Sequence, residues 1–177
     1  ALANGRGAFV GESIARVLEL YGCTVMREYY VNDRGVQITQ LGHSILHPED
    51  PDRQYPAPYV DELRKRITET DDRAAGEKAS AIVMEEMIKP TLRSLGINFH
   101  QYFSEASLYQ TGVLKKTMEL LKALDYAYEA DGATWLETTR FGDDKDRVLV
   151  KSDGEDTYFA SDIAYFNYKI QRGYHRL

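Results

Sequence analysis

Three stretches of this 177-residue chain carry residue types at spacings that chemistry uses. The first is Asn4-Gly5-Arg6-Gly7-Ala8, at the start of a segment with helical periodicity. Small residues let backbone approach a ligand, and a helix N-terminus offers free N–H groups to a phosphate. Gly5, Gly7 and Gly11 do not follow the G-x-G-x-x-G spacing of dinucleotide sites, and no strand precedes them in the sequence. The other reading is glycines that let a helix pack closely against a sheet. The residues alone leave both open.

The second stretch is Phe141-Gly-Asp-Asp-Lys-Asp-Arg147, where Asp143, Asp144 and Asp146 stand close enough to resemble a Mg²⁺ site for phosphoryl transfer. Lys145 and Arg147 are interleaved with them and compete as counter-ions, so a solvated turn between strands is favoured and no metal is assigned. The third is Tyr158-Phe-Ala-Ser-Asp162, read as a strand end running into a helix start. Ligands of open α/β sheets bind outside the carboxyl ends of strands. A carboxylate there can hold a guanidinium through two parallel hydrogen bonds, with a tyrosine beside it. Alternatively Asp162 or Ser161 caps its own helix and Tyr158 packs on the sheet.

These residues need elements to position them. Val10, Ile14, Val17, Leu18 and Tyr21 recur on one face of a helix from Asn4 to Tyr21, stopped by Gly22. Cys23 to Val31 is β-branched and aromatic and predicts a strand, and Asn32-Asp33 can cap a helix running to about Leu46. Four of the five prolines fall between Pro48 and Pro58, marking a surface loop and the edge of an insertion. Helices are predicted at Tyr59 to Glu69 and Arg73 to Leu95, the second kinked or restarted at Pro90. A strand follows at Ile97 to Phe103, and Thr111 is positioned to cap a helix bearing Leu114, Met118 and Leu121. Asp131-Gly132 and Asp153-Gly154 are hairpin turns between candidate strands, the second joining Arg147–Lys151 to Thr157–Ala160. A last helix begins near Ser161-Asp162. Alternation of helices and strands is the rhythm of an α/β sheet, mixed or mostly parallel.

Composition narrows the classes. Hydrophobic residues are 43% and charged residues 28%, ordinary for a globular chain, and no apolar run is long enough for a membrane helix. The net charge of −6 argues against a chain that coats DNA or any other polyanion along its surface. The lone cysteine, Cys23, excludes an internal disulfide and fits a reducing cytoplasm, and its neighbours read as a buried structural thiol. The N-terminal residues do not have the pattern of a signal peptide.

Several motifs in order resemble one family. Arg27-Glu-Tyr-Tyr-Val-Asn-Asp-Arg-Gly-Val-Gln37 is similar to the "REYY-[IV]-NDxGxQ" signature of bacterial arginyl-tRNA synthetases. So are Gly132-Ala-Thr-Trp-Leu-Glu-Thr-Thr139, the run from Phe141 to Gly154, and Thr157-Tyr158-Phe-Ala-Ser-Asp162-Ile-Ala-Tyr165. Asn4-Gly-Arg-Gly-Ala8 matches the end of the family's HIGH-type motif. The similarity covers nearly the whole chain, more loosely over the Pro-rich stretch and residues 60 to 95.

The resemblance implies a partial Rossmann-like α/β class I synthetase catalytic domain with an α-helical insertion. Residues 1–46 would be its first part, 47–96 the Pro-rich loop and helical insertion, and 97–177 its continuation. It implies ATP, with Mg²⁺ carried on it, L-arginine and the cognate tRNA as substrates of a cytoplasmic enzyme. No catalytic side chain is implied, because a substrate oxygen is the nucleophile. Asn4, Gly5 and Gly7 would lie at the phosphate end of ATP, and Tyr158 and Asp162 would recognise the arginine side chain. Aligned through Asn4, the motif's first histidine falls on Ala1 and its first glycine on Ala3. The preceding strand, the KMSK-type loop and the anticodon-binding domain have no counterpart in the 177 residues. The expectation is therefore that this chain alone does not activate arginine appreciably. Two alternatives are an arginine-binding fragment without chemistry and a metal-dependent phosphoryl-transfer enzyme built on the three aspartates.

Overall fold

The computed structural model describes residues 2–174 and residue 176, with side chains from residue 5 onward to 174 and at 176. Ala1, where the family's histidine would align, and the side chains of Ala3 and Asn4 lie outside the described set. The chain forms two compact units, Ala1–Ser104 and Glu105–Leu177.

The first unit opens with helix α1 (Leu2–Leu20), ended by Gly22 in the left-handed region as its sequence predicts. Strand β1 (Glu28–Val31) pairs in parallel with β2 (Gln101–Ser104), Glu28 opposite Gln101 and Val31 opposite Ser104. Both strands are shorter than the apolar runs that carry them, because each is a strand only where the other offers ladder partners. Cys23 precedes the ladder and is exposed, which corrects the expectation of a buried thiol.

Helix α2 (Val36–Leu46) does not start on an Asn32 or Asp33 cap. Its N-cap is Gly35 at φ +79°, ψ −168°, a conformation essentially restricted to glycine, with no side-chain cap bond. After the Pro-rich loop come α3 (Pro58–Arg64) and α4 (Asp72–Val83), the latter capped by Asp71, whose carboxylate accepts from the Ala74 N–H. The chain then makes one π-helical turn, Met84–Ile88, before α5 (Lys89–Ser94). Pro90 explains this turn. It has no N–H to donate, and its ring crowds the carbonyl four residues back, so the helix widens and the Lys89 N–H reaches Met84.

Packing in this unit turns on two glycines. A Cβ added to Gly42 of α2 would sit 1.6 Å from the Asp72 carbonyl oxygen of α4, and one added to Gly76 would sit 1.9 Å from the Ile38 carbonyl oxygen. The two helices therefore touch backbone to backbone and run antiparallel. Beside the crossing, Leu41, Ile45, Val60, Leu63 and Ala79 form a buried cluster that ties α3 to the pair.

The second unit begins with α6 (Glu105–Gln110) and α7 (Val113–Ala123). Thr111 does not cap α7: its hydroxyl donates back to the Ser107 carbonyl at 2.6 Å, and Gly112 at φ +72° is the N-cap. The antiparallel sheet β3–β4–β5 follows (Ala127–Ala130, Ala133–Leu136, Arg147–Val150), with Asp131 and Gly132 both at positive φ in the expected tight turn. The second predicted hairpin is only partly made. The chain turns at Gly154 and returns to a single bridge, Val150 to Asp156, and then enters α8 (Tyr158–Gln171). Thr157 ends the return: its N–H and hydroxyl donate to β5 carbonyls while its oxygen accepts from Ala160 as the helix cap. Leu108, Leu149, Ala160 and Ala164 are fully buried here.

The glycine crossing makes a sharp prediction. Gly42→Ala destabilises the chain by at least about 1–3 kcal/mol, since the new methyl meets backbone rather than a flexible side chain. Gly11→Ala, whose Cβ meets nothing within 4 Å in α1, is neutral or stabilising by up to about 1 kcal/mol. Urea unfolding midpoints of the two variants check the contrast.

Candidate active site

The candidate site residues fall in both units. Gly5 and Gly7 lie in the first turns of α1, exposed, and a Cβ on either meets no described atom within 4 Å. Helix-on-sheet packing therefore does not account for them within the described residues. A glycine inside a helix costs roughly 0.5–1 kcal/mol relative to alanine, so these two weaken α1 without a packing return. Asn4 contributes backbone to the same turn.

Arg27 fastens α1 to the start of β1. Its guanidinium donates to Glu12 at 2.7 and 3.4 Å and to Glu19 at 2.6 and 2.9 Å, two acids on α1 about two turns apart. The side chains of Arg27 and Glu12 are each only 13% exposed. Hydrogen bonds from Arg27 hold the Glu12 and Glu19 carboxyls below their usual range, with Arg16 adding to the effect on Glu12. The arginine that opens the signature motif is thus a scaffold residue. Gly35, in the same motif, is another. Asn32 and Gln37 are exposed, while Asp33 turns its own N–H back to the Val31 carbonyl at 3.0 Å.

In the second unit Tyr158 is the first residue of α8 rather than the end of a strand, and Asp162 stands one turn further on. Residues four apart share a helix face, so the structure brings this pair together. Tyr158 is 74% exposed and Asp162 is exposed as well. Neither Ser161 nor Asp162 caps the helix. Thr157 does so, and the Ser161 hydroxyl donates to the Tyr158 carbonyl at 2.9 Å. Asp162 makes no ion pair among the described residues, which leaves its carboxylate open to a ligand cation.

The aspartate trio is not brought together as a metal site. Arg147 grips Asp143 through two bonds of 2.7 and 2.8 Å and reaches Asp144 at 2.9 Å. That bond to Arg147 pushes the Asp143 carboxyl far below its ordinary range. Asp146 faces elsewhere, accepting from the Thr139 N–H at 3.0 Å, the Thr139 hydroxyl at 2.8 Å and the Tyr128 hydroxyl at 2.8 Å. Arg147 acts as the counter-ion its position in the sequence predicts.

Comparison with known proteins adds an independent finding. The family described as "tRNA synthetases class I (R), catalytic domain" matches residues 80–174. The arginine–tRNA ligase of Desulfosudis oleivorans is 42% identical over 99% of this chain and 35% of its own length. That of Renibacterium salmoninarum is 40% identical over 98% of this chain and 34% of its own. The chain thus spans about a third of the length of the curated relatives it matches. An arginyl tRNA synthetase structure from Campylobacter jejuni superposes with a TM-score of 0.86 at 34% identity, over 97% of this chain and 42% of that one. The Plasmodium falciparum arginyl-tRNA synthetase, at 21% identity and a TM-score of 0.69, covers 96% of this chain and 32% of its own and shares the fold.

The Arg27 clamp has a pH signature. Glu12 and Glu19 have lowered pKa values in the folded state, so their contribution is present above the ordinary carboxylate range and lost as pH falls through the folded values. Arg27→Gln therefore lowers Tm at neutral pH, and its gap from the parent chain narrows as pH falls below roughly 4. Thermal melts followed by circular dichroism across that range test this; a gap independent of pH would exclude the clamp as its source.

Proposed function

Because this chain belongs to the class I arginyl-tRNA synthetases and has part of their Rossmann-like α/β catalytic-domain fold, we propose that it supplies part of the arginine- and ATP-binding site of an arginine–tRNA ligase. In that reaction a carboxylate oxygen of L-arginine attacks the α-phosphorus of ATP, the bond to the β-phosphate oxygen breaks, and pyrophosphate leaves. A ribose hydroxyl of the tRNA's terminal adenosine then attacks the activated carbonyl, and AMP leaves. Both nucleophiles are substrate oxygens, so the protein's part is placement and charge stabilisation. Mg²⁺ enters with the ATP and neutralises its phosphates.

Asp162 takes the guanidinium in a bidentate contact, and Tyr158 lies against its plane. The observation that supports this reading is their position one turn apart on the exposed face of α8, with Asp162 free of any ion pair among the described residues. Lysine is discriminated against because an ammonium cannot make two parallel bonds. Gly5 and Gly7, with Asn4, take the phosphate end of ATP in the first two turns of α1, where the absent Cβ atoms leave the helix surface open to close approach. Residues 47–96 serve as a helical insertion in the domain. Among the described residues no helix is long and apolar enough to cross a membrane. The cytoplasm is the proposed location because the tRNA substrate of the proposed reaction is found there.

A second reading, arginine binding without adenylate formation, concerns the 177 residues taken by themselves, which span about a third of those relatives' length. The phosphoryl-transfer alternative loses support, because Asp143 and Asp146 are committed to other partners. Calorimetric titration of the chain with L-arginine, L-lysine and L-citrulline decides. Weak arginine binding in the millimolar range, lost in Asp162→Asn, is expected, with no arginine-dependent exchange of pyrophosphate into ATP. Equal response to citrulline, or binding that survives the substitution, would remove Asp162 from the role. Vigorous exchange would overturn the non-catalytic reading of the isolated chain.

A further inference from the structure

The antiparallel crossing of α2 and α4 brings a histidine pair against an aspartate. His43 and His47 lie four residues apart at the end of α2, with ring centroids 4.5 Å apart. Asp72, at the start of α4, faces both: its carboxylate lies 3.0 Å from His43 Nδ1 and 3.3 Å from His47 Nε2. One nitrogen or oxygen from each of the three can be chosen so that all lie within 4.8 Å of one another. From these positions we propose that His43, His47 and Asp72 form a binding site for a divalent cation of the zinc type, clasping the end of α2 to the start of α4.

Three features carry the argument. The donor set is two imidazoles and one carboxylate, which suits Zn²⁺ and related ions and not Mg²⁺ or Ca²⁺, which prefer oxygen. A tetrahedral ion with bonds of about 2.0–2.1 Å holds neighbouring ligand atoms about 3.3 Å apart. His43 Nδ1 lies 3.0 Å from one oxygen of Asp72 and His47 Nε2 3.3 Å from the other, so a turn of the carboxylate brings a single oxygen toward both nitrogens. Side chains 38%, 47% and 29% exposed have the rotamer freedom to close the remaining gap and leave a fourth position to water.

The second feature is a partner behind the ligand. His43 Nε2 lies 2.7 Å from the Asp50 carboxylate, on the side of the ring away from Asp72. A ligating histidine is commonly fixed by a carboxylate on its other nitrogen, which sets its tautomer and raises its basicity. On binding, the Nδ1–zinc bond replaces an Nδ1–H bond and the proton goes to solvent, while Nε2–H stays on Asp50. Asp50 is a positioning residue here, not a ligand.

The third feature is rigidity. Asp72 is held against α2 because Gly42 abuts its own carbonyl, so the carboxylate and the two imidazoles belong to helices whose separation is fixed by backbone contact. The site is separate from the arginine reading and stands or falls without it.

The test uses the untagged chain carrying Cys23→Ser, which removes the exposed thiol as a competing ligand. Isothermal titration with ZnCl₂ above neutral pH is expected to give one saturable equivalent, with a rise in Tm and release of protons to buffer. MgCl₂ produces neither effect. His47→Gln, at a half-exposed position that tolerates change, weakens zinc at least about tenfold, and Asp50→Asn weakens it roughly 10–100-fold. Should Asp72→Asn disturb folding, Co²⁺ added to the Cys23→Ser chain gives a second measure: the intense visible bands of a tetrahedral site, abolished by one equivalent of Zn²⁺. Absence of saturable zinc binding, or affinity unchanged in His47→Gln, would overturn the proposal.

Discussion

Backbone contact between α2 and α4 is the constraint on which most of the first unit rests. Ile38 and Gly42 on one helix meet Gly76 and Asp72 on the other at separations that no side chain survives. Such an approach is available only where each helix presents a glycine directly against a carbonyl of its partner, and the cost is the conformational freedom that glycine loses on folding. What it gains is placement. The last turn of α2 lies beside the first turn of α4, the buried cluster of Leu41, Ile45, Val60, Leu63 and Ala79 closes over the crossing, and α3 is held by that cluster. Helix dipoles agree with the arrangement, with imidazoles at a C-terminal end facing a carboxylate at an N-terminal one.

The signature that gives the family away mixes residues of different kinds. Arg27 is nearly buried between two acids of α1, and Gly35 adopts a backbone conformation that other residues avoid. Neither needs a ligand to explain why it is arginine or glycine. Arg27 in particular cannot be exchanged for lysine without loss, since one guanidinium fork answers two carboxylates on separate turns. A motif of this sort specifies a position for α1 relative to β1, and the helix so positioned carries the glycines at its start. The exposed members, Tyr158 and Asp162, are the ones whose identity the surrounding packing leaves unexplained.

How much the sequence revealed follows from how local each cause is. The Asp131-Gly132 hairpin was legible because two consecutive positive φ angles are a property of those two residues. The stop of α1 at Gly22 and the break at Pro90 are legible for the same reason, the break taking the form of a π turn after which the helix restarts at Lys89. The caps differ from the sequence expectation where a neighbour competes: Gly35 takes the place of Asn32-Asp33, Gly112 that of Thr111, and Thr157 that of Ser161 and Asp162. Strand lengths were overestimated because β1 and β2 end where their ladder ends, which is a tertiary fact. Exposure of Cys23 follows from that shortening. The His43–His47 spacing was in plain view, but Asp72 is 29 residues away from His43 and reaches it only through a glycine crossing that no local pattern announces.

The carboxylates show how partners decide function. Asp143 and Asp146 look as suited to a cation as Asp162 when only composition is considered, yet the first is gripped by Arg147 and the second accepts three hydrogen bonds. A ligand would have to displace those partners before gaining anything. Asp162 has no ion pair to surrender among the described residues. Its exposure limits it in another way: a guanidinium–carboxylate pair in open water is worth only about 0–1 kcal/mol, too little to separate arginine from lysine by itself. Selectivity arises when water is excluded from the pair, so that an unsatisfied second hydrogen bond becomes costly. On the proposed reading, the exposed face of α8 would supply the chemical identity of the recognised group, and the strength of that recognition would depend on water being excluded from Tyr158 and Asp162.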